Sequence, residues 1–251
     1  MTVLAVYNIK GGVGKTATSV NLAYLAAKHG NKTLLCDMDP QGSASYYFRI
    51  KSPKKFSAEK LLKGGKGILR SIRGTDYPNL DMLPADFTYR NLDLALDGYK
   101  KSDRRISKIL KPLVREYDVI FLDCPPNITL FSENIFEAAN LLLIPFIPTT
   151  LSLLSFEKLL DFFKQSGIDR KKLYLFFSMV QKQKKMHVEM IARFSGRKRV
   201  LKQHIPFLAD VEKMGIHRKP VLDTAPASPA SKAYASLWRE LEKVLTKKSL
   251  L

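Results

Sequence analysis

Two lysines stand five residues apart in a glycine-rich run, Lys10-Gly11-Gly12-Val13-Gly14-Lys15-Thr16-Ala17. Those residue types at that spacing suit the holding of a polyphosphate. Backbone N–H groups of such a turn converge on a phosphate, and the positive end of a following helix adds to their pull. Gly11, Gly12 and Gly14 let the backbone wrap closely where a Cβ would clash. Lys15 is placed to reach β- and γ-phosphates, and the Thr16 hydroxyl to meet Mg²⁺. The standard loop, G-x-x-x-x-G-K-[ST], would open with glycine at position 9, where this chain has Ile9. Lys10 is the anomaly, and it makes sense if it reaches a phosphate held by a facing subunit. Carboxylates complete the set. Asp37-Met38-Asp39-Pro40-Gln41-Gly42 follows an apolar run, and open α/β sheets bind ligands at such strand ends. A second apolar strand ends in Asp123, a form that holds Mg²⁺ through water, because that ion keeps much of its hydration shell.

These groups act together only if regular elements bring them to one place. Val3 to Tyr7 reads as a buried parallel strand leading into the loop. A helix is expected from Gly14 to His29, with Gly30 capping it. Further strands are expected at 32–37, 79–83, 118–123, 141–147 and 173–180, with helical stripes at 92–96, 106–113 and 151–163. The apolar face at 151–163 reads as core, with a dimer or partner face as the alternative. Residues 49–76 scatter lysines and arginines among glycines and read as a short helix with loops. Ser228-Pro229 opens a closing helix, on which Trp238 is expected to be a packing anchor. Cys36 and Cys124 have no metal-type spacing and read as core. With no internal repeat and no low-complexity linker, residues 1–251 read as a single domain.

The K-G-G-x-G-K-T loop resembles the deviant Walker A loop of the ParA/MinD family of ATPases. The run around Asp39 is similar to that family's D-x-D-P-Q-G element, and Asp123-Cys124-Pro125-Pro126 to its D-x-P-P. The resemblance is strongest at 3–47, 118–126, 141–160 and 225–242, and loose over 50–115. Ala17 departs from the second threonine of many members, though its backbone N–H remains. The family implies an α/β fold of three layers, a mostly parallel twisted sheet flanked by helices on both faces. It implies ATP and Mg²⁺ as cofactors and an ATP-bound homodimer in which Lys10 completes the partner's site. Gly11 to Ala17 would hold the phosphates, and backbone near Met179 and Pro206 the adenine. Asp39 would position the attacking water, Asp37 would support the Mg²⁺ shell or the loop, and Thr16, Asp39 and Asp123 would surround the metal. The chain starts at its first strand, without the helix-turn-helix extension that some members carry, which argues against operator binding.

The formal charge is +19, from 42 lysines and arginines against 23 acids. Such an excess favours a polyanionic partner, nucleic acid or an anionic membrane. Lys182, Lys184, Lys185, Arg193, Arg197, Lys198, Arg199 and Lys202 form the first candidate DNA-binding cluster, Arg218 and Lys219 the second. Together with the resemblance, this implies an ATPase that binds double-stranded DNA through its phosphates, without regard to sequence. A ParB-like or cargo-adaptor protein would stimulate hydrolysis, and the cargo would be a plasmid, a chromosome or a protein complex. A MinD-like membrane-associated ATPase shares every catalytic motif, but the tail from Lys243 to Leu251 is short and weakly amphipathic. An iron–sulfur or metal-insertion ATPase is disfavoured because Cys36 and Cys124 each adjoin a carboxylate. No signal peptide opens the chain, no stretch is long and apolar enough to span a bilayer, and two cysteines suit a reducing compartment. A cytoplasmic, nucleoid-associated location is expected.

Overall fold

Every residue of β1 (Thr2–Val6), β2 (Thr33–Asp37), β5 (Val119–Asp123), β6 (Leu141–Phe146) and β7 (Leu173–Phe177) is buried. Continuous apolar runs of this kind require a sheet covered on both faces. The computed structural model describes residues 1–99 and 104–248. Among them the sheet runs β3-β4-β2-β5-β1-β6-β7, with β3 (Arg73–Gly74) and β4 (Leu80–Leu83) at one side. All pairings are parallel except β3 with β4.

Five longer helices cover the sheet: α1 (Lys15–Lys28), α2 (Leu130–Ala138), α3 (Thr150–Gln165), α4 (Lys185–Phe194) and α5 (Pro229–Lys247). Side-chain alternation divides the core into two layers. Val3, Ala5, Ile120, Leu122, Leu142 and Ile144 face α2 and α3, while Leu4, Val6, Phe121, Leu141 and Leu143 face α1 and α5. Gly30, at φ 91°, closes α1 by donating its N–H to the Ala27 carbonyl at 3.0 Å. Ser228 caps α5 by accepting the Ser231 N–H at 3.2 Å. Trp238 is fully buried and its indole N–H donates to His29, joining the C-terminal end of α1 to the middle of α5. The two cysteines are free and buried.

Three segments differ from the sequence reading. On α3 the expected core face is only partly used: Leu159 and Phe163 are buried, but Leu151 and Leu154 are 66% and 49% exposed. One stripe meets the sheet, and the rest faces a side that no second layer covers among the described residues. The 49–76 stretch is more ordered than its composition suggests. It forms helices Ala58–Lys63 and Lys66–Leu69, which send Leu61, Leu62 and Ile68 into the core, and then β3. The last strand stops at Phe177, not Val180, because Met179 adopts φ 53°. Val180 then pairs with Pro206 as an isolated bridge, as Leu175 does with Val200.

Candidate active site

The parallel register sets Val6, Asp123 and Asp37 abreast at the C-terminal ends of β1, β5 and β2. Chemistry in a sheet of this kind collects at those ends. Beyond β1 the chain is held by Asn8, which is almost wholly buried. Its Nδ2 donates to the Pro145 carbonyl of β6 at 2.8 Å, and its Oδ1 accepts the Lys10 N–H at 2.9 Å. The loop that follows turns through Gly12 and Gly14, at φ 68° and 86°. A Cβ on Gly14 would stand 3.1 Å from the Ser178 hydroxyl oxygen and 3.9 Å from the Met179 ε-methyl, so this close approach needs glycine.

Lys15 opens α1 and turns inward. It is 7% exposed, and its Nζ donates to the Lys10 carbonyl at 3.0 Å. Burial pushes its pKa down, while Asp123, Cys124 and Asp39 pull it back up. Lys10, by contrast, is half-exposed, and only its backbone is held by Asn8. The first helical bond runs from Thr18 N–H to the Gly14 carbonyl at 3.0 Å. The N–H groups of Lys15, Thr16 and Ala17 therefore precede the ladder and remain at the positive end of the helix. With Gly11, Gly12 and Val13 they form a cradle suited to phosphate oxygens.

Asp123 is fully buried beneath this loop. Its Oδ1 accepts from the Ser19 hydroxyl at 2.8 Å, whereas its Oδ2 is buried with no hydrogen-bond partner. Burial raises its pKa; the Ser19 and Thr16 hydroxyls and Lys15 favour the ionised form, and Asp39 opposes it. A buried carboxylate oxygen without a donor is costly unless a cation or an ordered water faces it. This orphaned oxygen beside the Thr16 hydroxyl fits a hydrated Mg²⁺, an ion that prefers carboxylate, hydroxyl and water oxygens. Asp37 is also fully buried. Its Oδ2 accepts from both the N–H and the hydroxyl of Ser45 at 2.7 Å each, and its Oδ1 from the Asp39 N–H at 3.3 Å. Burial, with Asp123 beside it, raises its pKa. Of the two roles expected for Asp37, these bonds fit support of the loop. Asp39 itself is half-exposed, and its Oδ1 accepts the Gln41 N–H at 2.9 Å. It borders a cleft of about 310 Å³ that Tyr89, Pro125 and Phe131 also line.

Lys10, Lys15, Thr16, Asp39 and Asp123 thus share one end of the sheet. Met179 lies against Gly14, and the Val180–Pro206 bridge brings Pro206 beside it. The basic cluster lies elsewhere, on and around α4 at the β7 margin. Lys182, Lys184, Lys185, Arg193, Arg197, Lys198, Arg199 and Lys202 are all exposed there. Arg218 and Lys219 are differently placed. The Arg218 guanidinium lies over the Tyr46 ring at 4.5 Å and donates to the Tyr46 carbonyl, and Lys219 pairs with Asp223 at 2.9 Å. Arg218 braces the short helix Ser43–Tyr47, and Lys219 the helical turn Val221–Thr224.

Sequence reasoning missed Asn8, Ser19, Ser45 and Ser178. A signal existed for Ser19 alone: four residues after Lys15 on a helix, it lies on the same face.

A sequence model described as an AAA domain matches residues 1–173. The chain is 32% identical over 253 residues to a ParA family protein of Chlamydia muridarum (strain MoPn / Nigg), covering 96% of this chain and 97% of the relative. It is 28% identical over 246 residues to the sporulation initiation inhibitor protein Soj of Bacillus subtilis (strain 168), covering 95% and 97%. In fold it is similar to a single-substitution variant of Cyanothece McdA in complex with ATP, with TM-score 0.84 at 20% identity over 96% of each chain. A plasmid partition protein of Borrelia burgdorferi B31 bound to AMPPNP gives TM-score 0.81 at 24% identity, covering 98% and 99%.

Proposed function

The chain belongs to the ParA family of P-loop ATPases, and from that membership we propose that this positioning ATPase pairs with a second copy when it holds ATP and Mg²⁺, and grips DNA in that state. The observation that carries the reading is the unequal disposition of the two loop lysines. Lys15 turns into its own loop, while Lys10 stands half-exposed with only its backbone fixed. A lysine presented outward from a phosphate loop is suited to a phosphate across a subunit interface.

Within one copy, Lys15 leaves the Lys10 carbonyl for the β- and γ-phosphates, and the N–H groups of residues 11–17 bind their oxygens. Thr16 and Asp123 would hold Mg²⁺, Asp123 through water, with Asp39 near. Held there, Mg²⁺ would supply positive charge to offset the negative charge that develops on the phosphates. Asp39 orients the attacking water from the rim of its cleft, and Lys10 of the facing copy stabilises charge in the transition state. Met179 and Pro206 border the adenine. Exposed cations at 182–202 meet DNA phosphates, and pairing two weak basic surfaces raises avidity. A ParB-like or cargo-adaptor partner stimulates hydrolysis, after which the pair opens and leaves the DNA. Residues 1–251 act as one ATPase domain, cytoplasmic and nucleoid-associated.

The membrane-associated reading is weaker. No helix among the described residues is long and apolar enough to cross a membrane. The apolar side of α5 is occupied within the core, through Leu237, Leu241 and Leu245. The end of the tail at 249–251 lies outside the described residues.

The test is anisotropy of a labelled random-sequence duplex with ATP, ADP or no nucleotide, at rising salt. Binding that requires ATP and falls steeply with salt supports the switch. Equal binding in all three states would overturn it and make the charge a constitutive anchor.

A further inference from the structure

A groove at the β7 margin, distinct from the nucleotide site, combines an apolar floor with a cationic rim. Phe156 and Leu160 of α3 and Phe194 of α4 form one side of a cavity of about 300 Å³, with Leu173 and Leu175 beneath. Arg170, Arg197, Lys198 and Arg199 surround it, all four are exposed, and no carboxylate is among the lining residues. The rim is pre-positioned. The Arg197 guanidinium lies over the Phe194 ring at 4.7 Å, and Arg199, at φ 64°, gives its carbonyl to the Leu175 N–H at 2.9 Å. The volume sits near the lower bound for small-ligand pockets, about 300 Å³, so it suits one or two large side chains better than a whole cofactor.

We propose that this groove docks an acidic peptide segment of a partner protein, with apolar anchors seated between α3 and α4 and carboxylates on the arginine rim. Guanidinium groups bind carboxylates in a paired, planar geometry. A DNA backbone would satisfy the rim but has no apolar group for the floor. The groove lies toward the start of β7, whereas the phosphate loop lies at the opposite ends of the strands. Partner and nucleotide can therefore bind at once, whereas partner and DNA would compete for Arg197, Lys198 and Arg199.

The probe is a displayed library of random 16-residue peptides, selected against the full chain. The expected result is enrichment of sequences that interleave Asp or Glu with Leu, Ile, Phe or Trp. Arg170→Glu and Leu160→Ser should each weaken an enriched peptide at least tenfold in an anisotropy titration. Arg170 is exposed, so its variant keeps the test open if Leu160→Ser fails to fold. Enrichment without acidic apolar sequences, or equal binding of enriched peptides to wild type and Arg170→Glu, would overturn the proposal. So would weakened duplex binding by Arg170→Glu with no effect of Leu160→Ser on peptide or duplex, which would assign the groove to DNA. Nucleotide-dependent duplex binding is measured on the same proteins, so failure of peptide docking and failure of the ATP switch are read separately.

Discussion

Asn8→Ala should separate the placing of Lys10 from the binding of nucleotide. The side chain of Asn8 makes two bonds, donating to the buried Pro145 carbonyl at 2.8 Å and accepting the Lys10 N–H at 2.9 Å. Alanine leaves the carbonyl without a donor, which costs about 1–3 kcal/mol for a buried group. The Lys10 N–H is half-exposed and turns to water at little cost. A loss of about 2 kcal/mol lowers the melting temperature by roughly 4–8 °C in a protein of this size. Hydrolysis should fall further than affinity. Lys15 and the backbone N–H groups still hold the phosphates, so binding of a fluorescent ATP analogue should change only a few-fold. A lysine displaced by an ångström can cost about 100-fold in rate. Asn8→Asp keeps the acceptor for Lys10 but sets a carboxylate against the Pro145 carbonyl, so it should melt no higher than the alanine variant. A wild-type melting temperature with wild-type hydrolysis in Asn8→Ala would refute the idea that this side chain pins the loop to β6. Equal losses in affinity and hydrolysis would show that the entire cradle, not Lys10, had moved.

Lys10→Ala should lose hydrolysis while retaining ATP binding, and full activity in that variant would exclude a role in the facing site. Ser19→Ala removes the donor to Asp123 Oδ1; loss of such a supporting bond should weaken Mg²⁺ binding by about tenfold or more, read by titrating Mg²⁺ against nucleotide fluorescence. Trp238→Ala should destabilise by about 3–5 kcal/mol in urea, since the ring is fully buried, and a loss below about 1 kcal/mol would contradict its anchoring role. His187 is buried and its Nδ1 accepts the Gln181 N–H, and burial with Lys184 nearby pushes its pKa down. Its neutral form is the stable one, so its contribution is present above the unfolded value of about 6.5 and is lost as pH falls through the lower folded value. His187→Gln should flatten the fall in melting temperature between pH 7.5 and 5.5, and identical slopes would rule this out.

What could be read in advance followed how local each cause is. The loop, its strand and its helix are written in consecutive residues, so Gly12, Gly14 and Lys15 could be assigned from spacing. The strands ending in Asp37 and Asp123 were equally legible, because full burial demands unbroken apolar runs. Asn8 was not, because its bond to Pro145 spans 137 positions and an asparagine after a strand carries no mark of such a partner. The same holds for Ser45, whose tie to Asp37 depends on how the turn at Gly42 brings the chain back. On α3 the choice between core and a partner face is not written in the stripe, because apolar spacing marks a face without saying what, if anything, covers it. Arg218 reads in sequence as half of a second basic cluster with Lys219, and the Tyr46 ring beneath it comes from a distant segment that spacing does not show.

The isolated bridges beside β7 bear on how copies of this protein can meet. An open sheet has two edges, and an uncovered edge strand invites another chain to pair with it. Here the segment 199–206 lies along β7 and takes up its outward groups, through Leu175 and through Ile205 N–H to the Phe177 carbonyl at 2.9 Å. The opposite edge ends in β3, which is only two residues long. Among the described residues neither side offers a long open template for sheet extension. Copies of this chain can therefore crowd together at high local concentration without drifting into fibrils through their sheet edges.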